Sequence, residues 1–151
     1  MADPTLTSRM LILLGNGADP EVFASPCGVG TRSMTFSKST GEAALLDCDT
    51  PLDVPAAMTR WSESDDTSVS FQGLLAKEAL PTWRAWADAV GDAAVRNIRI
   101  MIDEPLADGG GYWELPAILT SLEMSTEGTG RANVSATISG AGRRVWTNAA
   151  A

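Results

Sequence analysis

The chain has 151 residues, 44% of them hydrophobic and 20% charged, with a formal net charge of −8 and no histidine. That length suits one core-bearing domain, and that composition is globular rather than disordered. The acidity excludes tight binding of nucleic acid by phosphate neutralisation, and the lack of histidine removes the commonest general base, the usual triad partner and most zinc sites.

After an opening segment, 1–8, expected to be flexible, Arg9 to Leu14 predicts a short strand, apolar on both faces at Leu11 to Leu14 and therefore central and covered. Met10 to Leu14 is the longest unbroken apolar run and is too short to cross a bilayer. The first residues, MADPTLTSR, lack the basic-then-apolar layout of an export signal, so the expected compartment is the cytoplasm. GNGADP at 15–20 is a turn cluster, and Val22 to Ala24 is a brief strand closed by Pro26 and Gly28. Cys27 and Cys48 are the only cysteines and are expected as free, partly buried thiols. From Gly30 to Ser39, Arg32, Met34, Phe36 and Lys38 alternate with Thr31, Ser33, Thr35 and Ser37, which predicts a strand with one face of small hydroxyls.

Residues 40–67 change character, with Gly41, Pro51, Pro55, Trp61 and the acidic Glu42, Asp47, Asp49, Asp53, Glu63, Asp65 and Asp66. They read as a long acidic loop, uncommon in a compact domain unless it has a task. Val69 and Phe71 restart a strand that ends at Gly73. A helix follows over about residues 81–90, with 74 as the alternative start; Ala79, Trp83, Trp86 and Val90 form one stripe, Pro81 suits the first turn, and Gly91 suits the C-terminal cap. Arg96 to Asp103 alternates through Ile98, Ile100 and Ile102, ADGGG at 107–111 is a turn, and Tyr112 to Leu115 leads into a hairpin over 119–142. In that hairpin Ile118, Thr120, Leu122 and Met124 share one face, as do Val134, Ala136 and Ile138. The opposite faces carry Ser121, Glu123, Ser125, Asn133, Ser135, Thr137 and Ser139, and Glu127 to Gly130 form the turn. Val145 and Trp146 end the last strand, and 147–151 are expected to fray. The sum is one mainly β domain over 1–151: an antiparallel β-sandwich or barrel of about seven or eight strands with one flanking α-helix.

A search for chemistry finds none. Asp47, Asp49 and Asp53 come nearest to a calcium loop, but the sixth and twelfth positions counted from Asp47 hold Leu52 and Met58 where glycine and glutamate are needed. Asp65 and Asp66 sit in a polar stretch with no reason for shifted pKa values, and the glycine clusters lack the lysine of a phosphate loop and the third glycine of a dinucleotide fingerprint. No active site, cofactor or metal is expected.

The order of parts resembles the major tail proteins of long-tailed bacteriophages, the subunits of the tail tube. Five stretches carry the resemblance from about Arg9 to Trp146: RMLILLG, VFASPCGVGTRSMTFS, the acidic loop ending TRWSES, TSVSFQGLL leading into the helix, and the closing LTSLEMSTEGTGRANVSATISGAG. Within them the family's Ser/Gly-rich strand resembles Ser68 to Gly73, its Leu-Glu pair Leu122-Glu123, and its strand end Ser139-Gly140; Leu74, Leu75 and Cys27 depart from its pattern.

The resemblance implies a β-sandwich that forms six-membered rings, stacked into a hollow virion tail tube assembled in the host cytoplasm. Strands of neighbouring subunits join around a lumen that holds first a tape-measure protein and later DNA, between tail-terminator and tail-tip proteins. It implies Asp47, Asp49, Asp53, Arg60, Trp61 and Glu63 as ring-stacking candidates on the long loop. It implies Ser33, Thr35, Ser37, Glu123, Ser135, Thr137 and Ser139 as candidates for the lumen wall. Two alternatives stand beside it: an Hcp-like secretion tube protein of similar fold, and a small β-sandwich binding carbohydrate or another ligand on Trp61, Trp113 and Trp146.

Overall fold

Alternating apolar and polar side chains build the body of the protein from strands. The computed structural model describes residues 10–16, 21–26, 28–46, 48, 55–126, 128 and 130–150. In chain order these form β1 (Met10–Gly15), β2 (Phe23–Ala24), β3 (Val29–Leu45), β4 (Ala57–Leu74), α1 (Leu80–Asp88), β5 (Val95–Ile102), β6 (Gly111–Ser125), β7 (Asn133–Gly140) and β8 (Val145–Asn148). The strands make one sheet in the order β2-β1-β5-β6-β7-β4-β3, with β8 also on β6. Each pairing is antiparallel.

The long strand β6 is the fold line. Residues 111–118 pair with β5 and residues 117–125 with β7, so two half-sheets share one strand. Their inward faces meet in one core: Ile12 and Leu14 of β1, Ile98 and Ile100 of β5, Leu115 and Ala117 of β6, Ala136 and Ile138 of β7, and Val69 and Phe71 of β4. At the far ends the curl brings β3 back to β1, where Arg32 Nε donates to the Met10 carbonyl oxygen at 2.6 Å. The expected mainly β, antiparallel architecture with one helix is observed, as an open curled sheet rather than a closed barrel.

Helix α1 caps the core with Trp83 and Trp86. Pro81 lies in its first turn, where the missing N–H has no helical partner to lose. The helix stops at Asp88, short of the expected Val90, because Ala89 is already extended (φ −70°, ψ 141°). Gly91 therefore does not cap it; with φ 63° it opens the short 3-10 turn Gly91–Ala94, and Val90 is left 82% exposed. That turn receives the Trp86 indole, whose Nε1 donates to the Ala94 carbonyl oxygen at 2.7 Å.

Several expectations are corrected. Residues 40–45 and 57–67 are strand, not loop: β3 and β4 pair continuously from Val29↔Gly73 to Leu45↔Ala57. Outboard of Thr67, which is buried, both faces of this stretch are open to solvent, so it carries no apolar alternation to announce a strand. The stripe Ile118–Thr120–Leu122–Met124 is broken by a bulge, since Leu119 pairs with Ile138 but Ser121 with Thr137. Thr120 is the extra residue and donates its hydroxyl to the Thr137 carbonyl oxygen at 3.0 Å. Ile118 consequently lies on the outer face, 37% exposed, while Ala117 and Leu119 turn to the core. Strand β1 is covered on its Ile12 and Leu14 face but is nearly an edge, because β2 meets only Leu14 and Gly15. Thr147 and Asn148 are paired with Tyr112 and Gly111 rather than frayed. Cys48 is a free, exposed thiol. Residues 1–8, expected to be flexible, together with Cys27, Asp47, Asp49 and Asp53, lie outside the described residues.

Candidate functional site: a hydroxyl-lined sheet face and a projecting hairpin

The register of β3, β4, β7 and β6 assembles one continuous polar face. Ser33, Ser70, Thr137 and Ser121 form one cross-strand row. Thr31, Gln72, Ser135 and Glu123 form a second, and Thr35, Ser68 and Ser139 most of a third. Alternate residues on the same strands, among them Met34, Val69 and Ile138, point the other way into the core. All seven wall candidates, Ser33, Thr35, Ser37, Glu123, Ser135, Thr137 and Ser139, thus share this solvent-accessible face. Ser68, Ser70, Gln72 and Ser121 belong to it equally. Their alternation with Val69, Phe71 and Leu122 was the signal that could have placed them in the wall.

This four-stranded wall ends in two free edges. Among the described residues β3 pairs only with β4, and β6 beyond residue 118 pairs only with β7. Unpaired N–H and C=O groups along an edge of that length are a template for another strand.

The hairpin β3–β4 outruns the wall. β7 accompanies β4 only over residues 68–74, so residues 37–45 and 57–66 form a two-stranded ribbon with no third strand. At about 3.4 Å per residue it reaches roughly 30 Å outward. A bulge lies within it: Ser39 pairs with Ser64 but Thr40 with Ser62, leaving Glu63 as the extra residue. The shift brings Trp61 opposite Gly41, onto the hydroxyl face. Gly41 is the bed for that indole, since a Cβ there would collide with the Trp61 ring and the Glu63 carboxylate. Arg60 pairs with Glu42 across the other face at 2.9 Å, both well solvated. Trp61 and Glu63 are therefore brought together on one face of the ribbon and Arg60 stands on the other, and Leu45, Leu46, Met58 and Trp61 leave it with large exposed apolar side chains.

Where the ribbon leaves the body, Arg144 Nη1 lies 2.8 Å from Asp65 Oδ1 and 3.3 Å from Thr67 Oγ1. Its hydrogen bond holds the Asp65 carboxyl below the ordinary aspartate range against some desolvation, helped by the charges of Arg144, Lys38 and Arg143. The guanidinium also lies 4.2 Å from the Phe36 ring centroid. Phe36 meets Trp113 edge-on at 5.0 Å, and Trp113 meets Trp146 at 4.6 Å. Trp113 and Trp146 are thus packed against each other, and Trp61 lies away on the ribbon. They do not form the shared platform that a carbohydrate module would use.

Among the described residues no three His, Cys, Asp or Glu side chains gather as metal ligands. Among the same residues no helix is long and apolar enough to cross a membrane.

The fold is that of known tubes. The tail of an empty gene transfer agent particle, refined with C6 symmetry, matches with a TM-score of 0.70 at 16% identity, over 95% of this chain and 99% of that one. The sheath-tube complex of an extracellular contractile injection system, in its extended state, matches with 0.62 at 15% identity, over 97% and 93%. The SPP1 tail tube matches with 0.60 at 12% identity, over 97% and 80%. No curated protein sequence matches significantly. A family model described as phage tail tube protein matches residues 5–145, and the chain belongs to that family.

Proposed function

We propose that this structural tail tube subunit assembles as rings of six, and that the hydroxyl face of β3, β4, β7 and β6 lines the bore. The observation that carries the reading is the wall itself: four strands, one polar face and two unpaired edges. The C6 symmetry of the similar gene transfer agent tail supports the ring number. Joining the β3 edge of one copy to the β6 edge of the next would close a barrel of about 24 strands. Barrel diameter grows with strand number, and a third fewer strands already enclose an aqueous channel. Hydroxyls and Glu123 offer phosphate no firm counter-charge, so a DNA chain, or a tape-measure protein before it, slides past without being held. This would place the protein in a virion tail, built in the host cytoplasm and bounded by terminator and tip proteins.

The ribbon is the candidate for ring stacking. An isolated two-stranded hairpin is marginal in water, and a neighbouring ring would cover its apolar side chains. Arg60, Trp61 and Glu63 are proposed as its contacts, with Asp47, Asp49 and Asp53 nearer the tip in the chain. A tube of a contractile or secretion particle is the second reading, favoured by the likeness to the injection-system complex. Negative-stain microscopy with solution mass tests both. Wild type is expected to give hollow tubes, and Trp61→Ala rings without tubes. Discrete monomers at every concentration, even with a tail-tip seed, would refute self-assembly, and tubes of normal length from Trp61→Ala would refute the stacking role.

A further inference from the structure

Beyond Ser68 no third strand braces the ribbon, so only the β3–β4 ladder carries its direction out of the body. One side chain from the far end of the chain grips its root. We propose that Arg144 is a positioning residue whose clamp on Asp65, Thr67 and Phe36 sets the pitch of the outer hairpin, and thereby whether stacked rings come into register. The stacking consequence rests on the tube reading above; the grip does not.

Three features single out this contact. Phe36 lies on β3 and Asp65 and Thr67 on β4, so a single guanidinium holds both strands at once. The three share the face that continues the core, through the pairs Phe36↔Thr67 and Lys38↔Asp65. The Arg144 side chain is 18% exposed and its Asp65 partner 44%, against 61% and 46% for the outer Arg60–Glu42 pair, so the shielding is on the guanidinium and not on the carboxylate. Solvated pairs of the second kind hold little, whereas a shielded guanidinium that also stacks on a ring restrains geometry. Behind it, Phe36 is backed by Trp113 and Trp146, so the clamp is anchored on β6 and β8 rather than on the ribbon. Outboard of it, the bulge at Glu63 supplies the only register break in the ribbon.

The test uses Arg144→Ala, Arg144→Lys and Asp65→Asn in the full chain. Two readouts are followed: rapid amide hydrogen exchange of the unassembled protein, and tube length by negative-stain microscopy. Arg144→Ala is expected to exchange about tenfold faster over residues 57–66 with β5 and β7 unchanged, and to give fewer, shorter tubes. Arg144→Lys, which keeps the charge but loses the planar stack, should fall between. If Arg144→Ala loosens the whole domain, Asp65→Asn decides, since it removes only the ion pair. Faster exchange confined to 57–66 supports the clamp, and unchanged exchange overturns it. Faster exchange with tubes of normal length overturns the role in stacking. A wild type that forms no tubes while the exchange difference persists would sink the tube reading and leave the clamp standing.

Discussion

Trp83 is fully buried against Phe71, ring centroids 5.7 Å apart, yet its indole N–H has no hydrogen-bond partner among the described residues. Its contribution is therefore packing alone. Trp83→Ala is expected to cost about 3–5 kcal/mol in urea unfolding, the range for emptying a large aromatic site. Trp83→Phe should cost clearly less, because it keeps the ring contact and removes an unpaired donor. Asp65 sets a pH dependence at the ribbon root. Its pKa is lowered in the folded protein, chiefly by the Arg144 hydrogen bond, so its contribution is complete above the unfolded-state pKa and lost as pH falls through the lowered one. Exchange protection of residues 57–66 should hold steady from pH 7 to pH 5 and fall only below about pH 4, and Asp65→Asn should flatten that profile.

At the scale of elements, what could be read from the sequence was whatever had one wet face and one dry face. Ile98 and Ile100 gave β5 away, and Val134, Ala136 and Ile138 did the same for β7. The hydroxyl face of β3 was legible because Met34 and Phe36 alternate against Ser33 and Thr35. The outer ribbon was not, since water covers both of its faces and a strand pattern needs a contrast. Bulges were equally hidden: Thr120 fits an apolar stripe by spacing, and only pairing with β7 reveals that the strand changes parity there. Helix α1 was found from Trp83 and Trp86, but its end was not, because Val90 continues the stripe after the backbone has left the helix. The Arg144 clamp joins Asp65 to a residue 79 positions away, a separation at which local pattern says nothing.

The whole molecule carries a net charge of −8 and displays a wall of hydroxyls with Glu123 among them. A tightly bound polyanion would need a basic stripe there, and the rows of the wall contain no Lys or Arg. Unassembled protein at micromolar concentration should leave duplex DNA unshifted in a gel assay at about 0.15 M salt. A retarded band that disappears steeply with added salt would contradict a bore built for passage. The same two edges that would join copies in the proposed ring expose the free subunit to mispairing, and the charge opposes that by mutual repulsion.

The bulge at Glu63 has a consequence for chain length. Strand β4 carries one residue more than its partner there, so it can lose one without disturbing the ladder on either side. Deleting Glu63 leaves Ser64 opposite Ser39 and Trp61 opposite Gly41, and removes the local twist together with the carboxylate beside Gly41. Deleting one residue between 68 and 72 instead exchanges the inward and outward sets, burying serines where Val69 and Phe71 belong. The first deletion should fold with a near-normal unfolding midpoint, and the second should yield no folded protein. Length variation of the hairpin is thus affordable at one rung and forbidden a few rungs below it.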